Sequence, residues 1–287
     1  MPEYYKQGDR FCKWLSIPDG PSRTAVTDCA YGLARYAAIC QNAGLVPIVE
    51  PDILLDGDHD IDTTFEVASW VWAETFKYLA DNNVSFERML LKPSRVGPGA
   101  DCPNRSTPEE VADYTLRMLN SRVPPATAGV MFLSGGLSEL DSTLYLNAMN
   151  QSPNPWHLSF SYARALQNTV LKTWAGDDSR KAEAQAILGH RAKPRSAQLG
   201  NFVAGDVSES ESESTYQKNY GEDSTNMTTS LTTDAVCLNH QLVLISLKYL
   251  TLPTVYYLVT FCHFDSGYPS TGQLSDEPPL SIDKCYQ

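Results

Sequence analysis

Five short apolar runs, separated by segments of helical periodicity, recur along the first 200 residues of this 287-residue chain. They are RFCKWLSI (10–17), GLVPIVEP (44–51), RMLLKP (88–93), GVMFLSGG (129–136) and HLSFSY (157–162). Most are apolar on successive rather than alternate positions, as strands buried on both faces of a parallel sheet must be. The segments between them carry helix signals. Ser22 to Ala43 has an apolar stripe that stops at Gly44, the residue type that most readily ends a helix. Asp62 is placed to cap a helix through Phe65, Ala68, Val71, Trp72, Phe76 and Leu79. Thr107-Pro108-Glu109-Glu110 offers a cap, a first-turn proline and a capping-box glutamate before Val111 to Leu119. Ser138 to Gln151 and Arg164 to Trp174 complete the series. Strand and helix alternating five times predict right-handed βαβ units and a parallel sheet.

In such sheets chemistry gathers at the carboxyl ends of the strands. Those ends carry Lys13, Glu50, Lys92, Ser134-Gly135-Gly136, and Ser161 with nearby Arg164. Polar groups at one edge of an apolar sheet are the feature that composition does not explain. A lysine at a strand end that is desolvated, or set beside another cation, can lose its proton and attack a carbonyl to form an imine. Lys13 is placed to be that second cation, and Glu50 to shuttle the protons of the carbinolamine. The bland reading of Lys92 and Glu50 is a plain ion pair at the rim. LSGG can cradle a phosphate on backbone N–H groups or simply turn the chain. Arg164 can clamp a phosphate or sit on the surface.

Composition narrows the partners. A formal net charge of -12 argues against nucleic acid and anionic membrane surfaces and leaves phosphorylated substrates open. Seven cysteines without a CxxC pair suggest reduced thiols rather than a disulfide framework or a zinc site. DGDHD (56–60) lacks the ligand spacing of a calcium loop and reads as a solvated turn. The first fourteen residues show no leader pattern. The expected organisation is a parallel α/β domain over 1–205, an acidic Ser/Thr-rich disordered segment over 206–235, and an extension of unknown structure over 236–287. Within that extension, 242–262 has membrane-span length but is interrupted by Lys248 and Pro253.

GLARYAAICQNAGLVPIVEPDILLDGDHD, LLKPS, PPATAGVMFLSGG, LNAMNQSPNPWHLSFSYARALQ and LKTWAG together resemble class I fructose-1,6-bisphosphate aldolase, most closely the plant plastid form. The resemblance covers about residues 3–220. It implies a (β/α)8 TIM barrel, of which about five βα units are legible here as an incomplete barrel. It implies Lys92 as the Schiff-base lysine, Glu50 as the catalytic glutamate and Lys13 as the lysine beside them. Asp52 stands where the family usually has a second glutamate, and Ser134, Gly135, Ser161 and Arg164 match positions that hold substrate phosphate. It implies no metal or other cofactor, fructose 1,6-bisphosphate and triose phosphates as ligands, a homotetramer, and a plastid location with the cytoplasm as alternative. Besides the conservative change at Asp52, four positions depart from the family pattern: Leu15, where the family has a phosphate-binding arginine, and Arg95, Gly97 and Leu137. Tyr220 lies near the family's terminal tyrosine. A competing reading is a non-catalytic remnant that binds sugar phosphates or joins intact aldolase subunits, and a third is a membrane-tethered chain.

Overall fold

The computed structural model describes residues 1–16, 22–192 and 212–216, together with the backbone of 237–238, 241–242 and 257–259. Five parallel strands form the sheet: β1 (Phe11–Ser16), β2 (Val46–Pro51), β3 (Leu90–Leu91), β4 (Gly129–Phe132) and β5 (Leu158–Phe160). They lie side by side in chain order, and each pair is parallel. The sheet does not close into a barrel. The outer edge of β1 pairs instead with a short antiparallel strand, Tyr257–Val259.

The helices cover one face. A short α1 (Pro2–Lys6) precedes β1, and α2 (Arg23–Asn42) follows it; α3 (Ile61–Asp81), α4 (Pro108–Arg122), α5 (Glu139–Met149) and α6 (Arg164–Trp174) follow the other strands in turn. The stripe of α2 is Val26, Cys29, Ala30, Leu33, Ala34, Ala37 and Cys40, all buried, at the three- and four-residue spacing that brings side chains to one helical face. Ser22 caps this helix, accepting a hydrogen bond from the Ala25 N–H. The expected cap Thr107 does the same for α4, and Ser138 does so for α5.

One cap differs from expectation. Asp60, not Asp62, caps α3, and its Oδ1 accepts from the Thr63 N–H at 2.8 Å. Asp60 has the extended backbone that a cap requires. Asp62 sits in the first turn, where its charge suits the helix dipole, and it accepts from the Tyr114 hydroxyl. DGDHD is a half-exposed loop leading into that cap. Strand β3 is shorter than its apolar run, because Pro93 has no N–H to extend the ladder. A further helix, α7 (Lys181–Arg191), buries only Ala184 and Arg191, too weak a stripe to stand out in the sequence.

The barrel-domain boundary at 205 lies outside the described residues. So do Tyr220 and, apart from the backbone of residue 242 and of the strand 257–259, the apolar segment 242–262. No helix among the described residues is long and apolar enough to cross a membrane.

Candidate active site

Strand alternation sets which side chains reach the site. In β1, Cys12 and Trp14 pack toward Tyr36 of α2, so Lys13 and Leu15 point to the opposite face. In β2, Val49 joins the helix-side core, so Glu50 shares the face of Lys13. Lys92 follows β3, and its N–H donates to the Val49 carbonyl at 2.8 Å. The ladder continues beyond the strands: the Leu133 N–H donates to Pro93 and the Ser161 N–H to Phe132. Beneath β1 and β2, the Tyr36 hydroxyl donates to the Cys12 carbonyl and accepts from the Ile48 N–H. The loops bearing the polar residues are thus tied to the sheet.

Three neighbouring strand ends converge on one carboxylate. Glu50 pairs with Lys13 through Oε2 and with Lys92 through Oε1, the latter at 3.1 Å. All three are buried, and Asp52 joins them at 8% exposure. Burial pulls the Lys92 amine below its ordinary pKa, Glu50 opposes that, and the Lys13 charge lowers it further. Part of the Lys92 population therefore carries a free lone pair at a lower pH than an exposed lysine would. Replacing Lys13 by methionine removes a like charge and is expected to move the alkaline rise of imine formation to higher pH. A profile of borohydride capture against pH checks this, and an unmoved profile would remove Lys13 from the account.

Burial, followed by the Glu50 charge, pushes Asp52 up to about 7. The folded state thus favours its acid form more than the unfolded chain does, where it titrates near 3.8. Its stabilising contribution is complete below the unfolded pKa and is lost as pH rises through about 7. Thermal melts should fall between about pH 4 and pH 7 by an amount worth up to about 4 kcal/mol, and Asp52→Asn should flatten the profile.

The next strand ends carry the anion-binding candidates. Ser134 is buried, and Gly135 and Gly136 both adopt left-handed backbone, at φ 57° and 84°. A Cβ on Gly136 would meet the Cα of Tyr216 at 3.0 Å, so a side chain there would displace that segment. Ser161 is half-buried. Arg164 opens α6, whose cap Ala163 offers no side-chain acceptor, and its Nη1 donates to the Thr215 carbonyl at 2.7 Å. Residues 212–216 thus lie over this end of the sheet. The Thr215 hydroxyl donates to the Leu137 carbonyl, and the Tyr216 hydroxyl donates to Asp56 at 2.9 Å. Burial and Asp56 raise the Tyr216 phenol to about 12. Sequence reasoning missed this contact, which joins residues 160 apart and leaves no local signal. Leu15 is buried on the site face of β1, so that position offers no charge to a phosphate.

The family model for Fructose-bisphosphate aldolase class-I matches residues 1–221. The chain belongs to the class I fructose-bisphosphate aldolase family. It is 64% identical over 222 residues to fructose-bisphosphate aldolase 1, chloroplastic, of Chlamydomonas reinhardtii, covering 76% of this chain and 59% of that protein. To fructose-bisphosphate aldolase 1, chloroplastic, of Arabidopsis thaliana it is 62% identical over 221 residues, covering 76% of this chain and 55% of that protein. A solved structure of fructose-bisphosphate aldolase from Plasmodium falciparum, in complex with TRAP and a small-molecule inhibitor, superposes with a TM-score of 0.69 at 44% identity. That match covers 71% of this chain and 61% of that one. The chain therefore spans a little under three-fifths of the length of these curated aldolases. Family membership accounts for the five parallel βα units and for their shared carboxyl edge.

Proposed function

We propose that this chain carries the Schiff-base machinery of fructose 1,6-bisphosphate cleavage to dihydroxyacetone phosphate and glyceraldehyde 3-phosphate. One observation carries the reading: Lys92 is buried, its pKa is lowered, and it is held by a carboxylate that also binds a second lysine. The neutral Lys92 Nζ attacks the substrate ketone carbon. Glu50, 3.1 Å away, takes the proton that Lys92 sheds and passes it to the carbinolamine hydroxyl, which departs as water to leave an iminium. As the Glu50 carboxylate takes the proton of the substrate hydroxyl two carbons from the iminium carbon, the bond between that carbinol carbon and its neighbour breaks; its electron pair passes to the iminium, the aldehyde leaves and an enamine remains on Lys92. Protonation of the remaining enamine and addition of water to the iminium then release the ketone phosphate and return the amine. Lys13 holds Glu50 in place and keeps the Lys92 charge unfavourable. Ser134, Gly135, Ser161 and Arg164 bind substrate phosphate, with Arg164 exchanging its bond to Thr215 for the ligand.

Names of relatives support the wider setting. Plastid location follows from the chloroplastic aldolases this chain resembles, and carbon fixation and sugar breakdown are the processes such a lyase serves. The homotetramer of the resemblance belongs to the same reading, and light scattering on the full chain checks it.

The test is to incubate the full chain with fructose 1,6-bisphosphate and borohydride, and then to map the adduct by peptide mass. The expected adduct lies on the peptide containing Lys92. Folded protein that yields no adduct would overturn the catalytic reading and favour a sugar-phosphate-binding role.

A further inference from the structure

A cavity of about 190 Å3 opens between the loops that follow β2, β3 and β4. Three of the four departures from the family pattern line it: Arg95, Gly97 and Leu137. Their gathering at one cavity directs attention to what Arg95 does there.

Arg95 is 6% exposed. It donates to the carbonyls of Leu133 at 2.8 Å and Ser142 at 3.2 Å, and to the Tyr162 hydroxyl. The rings of Phe132 and Tyr162 each lie 5.3 Å from its Cζ. Every one of these partners is neutral. No carboxylate among the described residues forms an ion pair with it, and its Nε is buried without an acceptor. A buried lysine could respond by releasing its proton, but a guanidinium cannot. The charge thus remains in a low-dielectric setting with nothing to neutralise it, which is costly unless an anion completes the site.

The other walls suit an anion. Arg105 brings a second guanidinium, which is exposed and is anchored through Nη1 to the carbonyls of Gly99 and Ala100. Ser94 and Ser106 add hydroxyls. Asp141 is the one carboxylate in the lining, so two positive charges and one negative leave the cavity at a net +1. The molecule around it carries -12. A Cβ on Gly97 would meet Val111 Cγ2 at 3.8 Å, an ordinary contact, so the absence of a side chain there opens space that packing does not require.

We propose that this cavity is an anion site adjoining the substrate-phosphate loop, which takes a phosphate group between Arg95 and Arg105. Ser134 and Gly135 form part of its wall, so an occupant would lie against the loop assigned above to substrate phosphate. The site is argued from the uncompensated guanidinium and does not depend on turnover.

Calorimetric titration of the full chain with inorganic phosphate at low salt tests it. Unaltered protein is expected to bind. Arg105→Gln and Arg95→Met should each weaken binding by about tenfold or more, whereas Arg164→Ala should retain this binding. Arg105 is exposed, so Arg105→Gln carries the test even if Arg95→Met folds poorly. Failure of the unaltered chain to bind phosphate would overturn the proposal. So would wild-type binding by both Arg95→Met and Arg105→Gln, or loss of all binding in Arg164→Ala alone. Borohydride capture on Lys92 is read separately in Arg105→Gln and is expected to persist, which keeps a failure of this site distinct from a failure of the catalytic reading.

Discussion

Replacing Glu50 by glutamine is expected to lower folding stability by about 3–5 kcal/mol, because it strands two buried charges at once. Lys13 and Lys92 are 5% and 8% exposed and share this one carboxylate. Glutamine keeps the shape but supplies no charge, and each ammonium keeps its desolvation cost. Lys92 can answer by deprotonating, which caps the loss. Urea unfolding of the single variant measures it. The triple variant Lys13→Met, Glu50→Leu, Lys92→Met separates unpaired charge from lost packing. Removing all three charges should recover most of the loss, since apolar replacements of buried ion groups are often neutral or better. A Glu50→Gln midpoint equal to that of the parent would mean that water reaches the cluster freely.

Lys92→Arg should abolish the trapped adduct and lower any turnover by more than about a thousandfold, equivalent to about 4 kcal/mol of barrier. Arginine keeps the charge that Glu50 pairs with, so the fold is expected to survive. Its guanidinium does not deprotonate in a protein, so no lone pair reaches the carbonyl carbon. Peptide mapping after borohydride reads the chemistry, and circular dichroism reads the fold. An adduct that persisted on another lysine would transfer the nucleophile's role away from Lys92.

How much of this was legible in the sequence depends on how local each feature is. Thr107 acts on the residue three positions away, so spacing alone identified it as a cap; Ser22 and Ser138 stand at the expected starts of their helices and cap them in the same way. The cap of α3 was misplaced by two residues because Asp60 and Asp62 are chemically equal, and only the backbone conformation separates them. Lys13, Glu50 and Lys92 lie far apart in the chain, yet the rule that parallel strands share one carboxyl edge sufficed to bring them together. The elevated pKa of Asp52 was not legible, since it arises from burial and from the Glu50 charge. Arg95 stood out as a departure, but nothing local revealed that it lies inside the protein without a counter-ion. The packing of Tyr216 on Gly136 depends on a distant segment returning to the sheet.

The order of the five parallel strands in the sheet repeats their order in the chain. During synthesis, each of β2 to β5 would therefore find its partner already made, and the sheet can grow by one βα unit at a time. Only β3, with two residues, offers a weak rung, and it joins the units that carry Lys13 and Glu50 to those that carry the phosphate loop. Local opening is expected to divide the molecule there. Amide protons on the β1–β2 side should then exchange as one group and those of β4 and β5 as another, which would make Lys92 a residue of the seam.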